Sequence, residues 1–134
     1  MKIDEIEGIG AVQAGKLAQA GVTTTDELLQ WGANKAGRAS LETTTGISSK
    51  LILEWVNHVD LMRIKGVGSE YSDLLEAAGV DSPSELAQRN AASLATTFQE
   101  VAAARPGIVR RVPSEAEVAG WIAESKTLEK VVEH

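Results

Sequence analysis

Apolar residues recur at helical spacing along most of the chain, and residues that start or stop helices bound each stretch. The clearest stripe predicts one buried helix face and consists of Leu51, Ile52, Trp55, Val56 and Val59. No stretch alternates apolar and polar residues over the length of a strand, so every regular element is predicted to be a helix. The predicted fold class is therefore all-α.

Capping residues set the predicted limits of these helices. Thr24 with Glu27 and Ser114 with Glu117 have the spacing of a capping box, in which two side chains satisfy amides at a helix start. A short helix is predicted from Ser82, and longer helices are predicted over 11–20, 24–31, 34–44, 48–62, 69–78, 90–104 and 114–128.

One short motif occurs twice and organises the chain. Ile6-Glu7-Gly8-Ile9-Gly10 returns 58 residues later as Ile64-Lys65-Gly66-Val67-Gly68, and several downstream positions keep the same offset. The repetition predicts two units, residues 1–62 and residues 63–134. No linker rich in Gly, Ser or Pro separates them, so they are predicted to pack as one unit.

Composition predicts which residue types form the core and in which cellular compartment the protein lies. Aromatic residues make up only 4% of the chain, so the core is expected to be aliphatic, with the three tryptophans and Val12 contributing to it. Lys35 and Arg38 are expected to be exposed helix charges. The chain has no Cys, its start lacks the features of a signal peptide, and no apolar run approaches ~18 residues. These features predict a cytoplasmic protein without a membrane span.

Net charge argues against strong non-specific nucleic-acid binding. The chain carries a net charge of -6, with five Lys or Arg against eight Asp or Glu in 1–60 and eight against eleven in 61–134. Phosphate neutralisation supplies most non-specific affinity for nucleic acid, so only local basic clusters can provide it here. The densest cluster is Arg105, Arg110 and Arg111. It either binds a phosphate backbone or an acidic partner surface or, as we favour, is a solvated loop that ends one helix and docks on another.

The two Gly-x-Gly turns allow two interpretations. Two glycines before a helix let the backbone turn sharply and leave amides at the helix start, which can hold an anion or can simply form a corner between helices. No Gly-Lys-Ser/Thr follows, and no strand precedes, so neither a P-loop nor a dinucleotide fingerprint is present. The second turn is the better anion candidate because Arg63 and Lys65 flank it.

Catalysis has no support in the residue pattern. His58 and His134 cannot form a metal site alone, and no Ser or Thr has a neighbouring His base or an elbow motif. We therefore predict a protein that is not an enzyme, with no cofactor and no small-molecule substrate.

The first Gly-x-Gly stretch resembles a helix-hairpin-helix motif. Gly8-Ile9-Gly10-Ala11-Val12-Gln13-Ala14 has the order glycine, apolar residue, glycine, three residues and then a small residue that lets two helices approach. With the later turn Gly46-Ile47-Ser48, the first half resembles the five-helix, SAM-like N-terminal domain of archaeal RadA-type recombinases. The two-copy arrangement resembles a bacterial family catalogued as a domain of unknown function. The resemblance implies two tandem helix-hairpin-helix repeats.

The resemblance also implies a way of binding DNA. In DNA-binding members the hairpin amides contact phosphate oxygens without reading sequence, and a monovalent cation sometimes assists from the carbonyl side. Carried over to this chain, the phosphate contacts and nearby cations are Gly8, Ile9, Gly10 and Lys16 in the first copy and Arg63, Lys65, Gly66, Val67 and Gly68 in the second. Two departures oppose binding, because Glu7 lies inside the first hairpin and Glu70 follows the second.

Two functions are therefore expected to compete. The first is sequence-independent binding of the DNA backbone through hairpin amides, either weakly or as part of a complex. The alternative is a protein-protein interaction adaptor in which the hairpins are only structural. The partner is accordingly DNA or another protein.

Overall fold

A computed structural model describes all residues from Met1 to His134, and its regular elements are all helices. A 3-10 helix, Ile3–Glu5, precedes eight α-helices. These are α1 Ala11–Gln19, α2 Thr25–Gly32, α3 Lys35–Thr45, α4 Ser49–Leu61, α5 Ser69–Ala77, α6 Pro83–Leu86, α7 Ala91–Ala104 and α8 Glu115–Ser125. The prediction of an all-α fold is confirmed. None of the helices combines the length and the apolar composition that crossing a bilayer requires.

Local capping explains where most of these helices begin. The Glu27 amide donates to Thr24 Oγ1 at 3.1 Å, and Glu27 in turn accepts from the Thr24 amide, which completes the capping box before α2. Ser114 and Glu117 make the same exchange before α8. The last helix was predicted to extend to residue 128, but α8 ends earlier, at Ser125.

The chain divides into two compact units. The first unit comprises Met1–Asp60 together with Val131–His134, and the second unit comprises Leu61–Lys130. The core of the first unit is aliphatic apart from Trp55 and includes Ile6, Leu17, Leu28, Ile52, Val56 and Val132. The core of the second unit includes Leu74, Leu75, Leu86 and Leu94, and Trp121 lies there with its ring centroid 6.4 Å from that of Phe98.

Three side chains are placed differently from the sequence-based expectation. Trp31 is 56% exposed, because α2 turns Leu28 and Gly32 inward and Trp31 lies about 100° around the helix from Gly32. Val12 is exposed because α1 buries Leu17 on its other side. The expectation of an exposed Arg38 was wrong too, since that residue is only 3% exposed.

The Arg38 side chain is buried because its guanidinium pairs with backbone carbonyls between α2 and α3. Its Nη1 donates to the Gly32 carbonyl at 2.8 Å and to the Ala33 carbonyl at 3.2 Å. Buried carbonyls are almost always paired, and a guanidinium can serve several of them at once. Burial lowers the pKa of the Arg38 guanidinium, and the charge of Glu133 acts in the opposite direction.

Candidate nucleic-acid interface

The two Gly-x-Gly stretches form turns with the same hydrogen bonds, and we call residues 6–10 and 64–68 the first and second glycine turns. The Ile9 amide donates to the Ile6 carbonyl at 3.1 Å, and the Val67 amide donates to the Ile64 carbonyl at 3.0 Å. Gly8 has φ 92° and Gly66 has φ 90°. A left-handed residue at this third position is what a type II turn requires, so these glycines are needed for the backbone path.

The backbone conformation does not require a glycine at the second glycine position of each turn. Gly10 and Gly68 are extended, with φ -87° and φ -98°, which any residue adopts. A Cβ atom at either position would meet nothing within 4 Å. Each is the N-cap of the following helix, α1 or α5, and neither can offer a side-chain oxygen to the first-turn amides.

The other helices do begin with side-chain caps. The residues whose side chains accept a first-turn amide are Thr24, Asn34, Ser48, Ser82, Asn90 and Ser114. The starts of α1 and α5 therefore differ from the rest in offering first-turn amides that no cap side chain covers. Such amides, together with the helix dipole, attract anions.

A buried tryptophan lies beneath each turn. The Trp55 Nε1 atom would be 3.8 Å from a Cβ at Gly8, and Trp121 Nε1 would be 3.4 Å from a Cβ at Gly66. Trp55 and Trp121 are the core tryptophans of the first and second units. Each indole supports its turn from the interior and leaves the opposite side of the turn facing solvent.

The middle residues of the turns are less available to contact a phosphate than the glycines are. Ile9 and Val67 are both buried, and their amides already donate within the turn. Within each Gly-x-Gly, the exposed residues are the glycines, Gly8 and Gly10 in the first turn and Gly66 and Gly68 in the second. Among the predicted phosphate contacts, the glycines are thus the ones that reach the surface.

The first glycine turn has mainly acidic neighbours in sequence. Asp4, Glu5 and Glu7 are exposed, and one Glu5 carboxylate oxygen accepts from the Lys2 amide at 2.8 Å. The predicted cation Lys16 lies in the last turn of α1, about 7.5 Å along the helix axis from its first residue. Lys16 therefore lies away from the first-turn amides of α1, whereas Glu7 belongs to the turn itself.

The second glycine turn has more basic neighbours. Lys65 is exposed, and its amide donates to the two carboxylate oxygens of Glu124 at 3.2 and 3.0 Å. The half-buried Arg63 donates from Nη2 to the Glu129 carbonyl at 3.1 Å. The backbone contact with Glu124 fixes the start of the turn and leaves the Lys65 side chain at the surface.

Glu70, in the first turn of α5, binds Arg110 from the distant loop after α7. Both the Arg110 amide and its Nε donate to the Glu70 carboxylate, the latter at 3.1 Å, while the Arg110 side chain remains 95% exposed. The hydrogen bond from the Arg110 amide lowers the pKa of Glu70 most. The expectation that Glu70 only repels phosphate overlooked this partner, which lies 40 residues away and has no signal in the local sequence.

The remaining arginines of the predicted basic cluster have different surroundings. Arg111 makes a two-pronged contact with Glu117, with Nη1 and Nη2 at 2.7 and 2.8 Å from its carboxylate oxygens. The Tyr71 hydroxyl donates to the Arg111 carbonyl at 3.0 Å. Arg105 is exposed at the end of α7. The loop therefore docks on α5 and α8, with Arg110 beside the start of α5.

The contact between Arg111 and Glu117 predicts a pH dependence of stability. Hydrogen bonds from Arg111 hold the pKa of Glu117 at about 2, below its ordinary value of 4.5. A depressed carboxyl pKa stabilises the folded state above the unfolded pKa, and that contribution disappears as the pH falls from about 4.5 through about 2. Thermal unfolding should show Glu117→Gln less stable than wild type at pH 6 and converging with it near pH 2. Glu115→Gln, in the same helical turn, is the matched control, and an equal convergence there would contradict the assignment.

The fold and the two glycine turns define an all-α protein with two exposed helix starts that lack a side-chain cap. The chain belongs to the DUF4332 family, described as a domain of unknown function, whose family model matches residues 7–128. Neither the comparison with curated proteins nor the comparison with solved structures found a match.

Proposed function

We propose that this protein binds the DNA backbone without reading its sequence, through the second glycine turn and the start of α5. The observation that carries the proposal is Gly68, an N-cap glycine that neither its backbone conformation nor its packing requires. A missing Cβ at this position lets a phosphate approach the first-turn amides, where the helix dipole favours negative charge.

The turn geometry supports two tandem helix-hairpin-helix repeats, over 1–62 and 63–134, like those of RadA-type N-terminal domains. The hydrogen bonds that close the turns recur at the same offset, and so do the bonds that follow. The Ala14 amide donates to the Gly10 carbonyl at 2.9 Å, and the Ser72 amide donates to the Gly68 carbonyl at 2.9 Å. In that arrangement the exposed glycines take the place of phosphate-contacting residues, and a monovalent cation can bind on the carbonyl side.

Charge favours the second turn over the first. Lys65 precedes Gly66 and is exposed, and Glu70 holds Arg110 beside the start of α5. The Arg110 guanidinium offsets the negative charge of the Glu70 carboxylate, so the repulsion that Glu70 exerts on a phosphate is reduced. The first turn has Glu7 in the place of Lys65.

The charge contribution is tested by salt-dependent binding of labelled single- and double-stranded DNA. Wild type should bind at about 50 mM salt and lose affinity steeply by about 200 mM. The double variant Lys65→Gln, Arg110→Gln should bind about tenfold more weakly and reduce the slope of log affinity against log salt by about 2. The control, Lys16→Gln with Lys50→Gln, removes two exposed charges from the first unit and should bind like wild type.

The amide contribution is tested by Gly68→Ser. A serine hydroxyl at the N-cap accepts first-turn amides itself, so the variant should be as stable as wild type or roughly 0.3 kcal/mol more stable. DNA affinity should nevertheless fall about tenfold, because the hydroxyl competes with phosphate for the same amides. Wild type that fails to bind DNA even at the lower salt concentration, or a Gly68→Ser variant with unchanged affinity, would exclude this site.

The adaptor function is the second candidate, and the distribution of exposed apolar side chains favours it. The four large exposed hydrophobic residues, Met1, Val12, Trp31 and Val131, all belong to the first unit. Exposed aromatic residues are enriched where proteins bind one another. If the chain binds no DNA, a protein partner that covers Trp31 should protect its fluorescence from quenching by a soluble quencher, whereas Trp55 and Trp121 are already buried.

A further inference from the structure

Residues 131–134 lie in the first unit although they follow the whole second unit in sequence. Val132 is 1% exposed and belongs to the core that also contains Leu28 and Leu41. Its neighbour Val131 is 41% exposed. One side chain of this irregular segment therefore anchors it, while the adjacent one faces solvent.

Polar contacts on both sides of Glu133 complete the attachment. The Glu133 amide donates to the Ala33 carbonyl at 2.7 Å, and Arg38 Nη2 donates to the Glu133 carbonyl at 2.5 Å. The Glu133 carboxylate accepts from the Lys35 amide at 3.3 Å, at the start of α3. The amide, the carbonyl and the carboxylate of Glu133 thus each make a hydrogen bond with the rest of the first unit. The carboxylate also lies at the start of α3, where the helix dipole favours negative charge.

The surface that residues 131–134 contact is held in place partly by hydrogen bonds that do not involve this segment. Arg38 is fixed by the carbonyls of Gly32 and Ala33 as well as by Glu133, so two of its three contacts do not depend on residues 131–134. The Lys35 amide belongs to α3, and the Ala33 carbonyl belongs to the connection between α2 and α3. We call this surface, formed by Ala33, Lys35, Arg38 and the core position filled by Val132, the tail groove.

We propose that the tail groove is a peptide-binding site for residues 131–134 of a second copy of this chain, an extended segment in which a buried aliphatic residue precedes an acidic one. The chain fills it with its own residues 131–134, and the same segment of a second copy can fill it in trans. Main-chain hydrogen bonds supply affinity in such a mode, and a pocket for one side chain supplies selectivity. The covalent tether favours the chain's own segment, because intramolecular binding has a high effective concentration.

The test uses full-length variants as receptors and a labelled peptide with the sequence of residues 127–134 as the probe. Val132→Asp releases the chain's own segment, since a carboxylate cannot enter the core, and this receptor should bind the peptide saturably. Val131→Asp is the matched control and should retain its segment, so it should bind the peptide at least tenfold more weakly, as should wild type. A peptide carrying the Val132→Asp change should bind at least tenfold more weakly than one carrying Val131→Asp.

The outcome decides the proposal even if the receptor variant does not fold alone. If circular dichroism shows Val132→Asp to be unfolded, added wild-type peptide should restore the helical signal, and failure to do so would overturn the proposal. If the variant is folded, absence of binding, or equal binding of the two altered peptides, would overturn it as well. Two copies that exchange segments should also give a dimer that grows with protein concentration in wild type and is absent in Val132→Asp.

Discussion

Replacing Gly37 by alanine is expected to lower the free energy of unfolding by about 3 kcal/mol, although alanine is ordinarily the better helix former. An alanine Cβ at this position in α3 would lie 2.0 Å from the Trp31 carbonyl oxygen and 3.2 Å from Asn34 Oδ1. The nearer atom belongs to the backbone, which cannot rotate away as a side chain can. The start of α3 would have to move off the end of α2.

Gly15→Ala in α1 is the matched control for this prediction. Nothing lies within 4 Å of a Cβ there, and Gly15 is exposed, so alanine should raise stability by about 0.5–1 kcal/mol through helix propensity. Urea unfolding of both variants measures the two changes. Opposite signs are expected, and a Gly37→Ala variant as stable as wild type would show that α2 and α3 do not approach as closely as described.

Replacing Arg38 by leucine is expected to cost about 3 kcal/mol, despite the gain of an apolar side chain in a buried place. The variant leaves the carbonyls of Gly32, Ala33 and Glu133 without their charged donor, and hydrogen bonds to charged groups contribute about 1.5–3 kcal/mol each. The three losses are not additive, since water can reach part of the site once the guanidinium is gone.

Comparison with other changes in α3 separates this effect from helix propensity. Lys35→Leu alters an exposed position of the same helix and should change stability by less than about 0.5 kcal/mol. Arg38→Lys keeps the charge but not the fork of donors, so it should fall between wild type and Arg38→Leu. Amide hydrogen exchange at Glu133 should accelerate in Arg38→Leu. Slow exchange there, with unchanged stability, would contradict the role assigned to Arg38.

Local sequence signals were sufficient for most of the fold. The capping pairs Thr24 with Glu27 and Ser114 with Glu117 mark helix starts because all the groups involved lie within four residues of one another. Arg38 and Trp31 were misjudged for the opposite reason. Their burial depends on which carbonyls and which helix faces meet in the folded unit, and residue type gives only the average tendency.

The candidate site, too, could be predicted from local sequence only in part. The spacing of Gly8 and Gly66 before a helix predicts a sharp turn, because only glycine adopts the required φ without strain. The contact between Glu70 and Arg110 spans 40 residues, so no local pattern indicates it. The attachment of Glu133 to Arg38 spans 95 residues and was likewise beyond what periodicity or capping can predict.

The placement of Val132 in the first unit has a consequence for folding during synthesis. Residues 1–60 leave the ribosome first, but their core lacks one of its buried side chains until Val132 has been made. At about 5–20 residues per second this takes several further seconds, during which all of the second unit appears. The second unit can therefore complete its core before the first, in the reverse of their order along the chain.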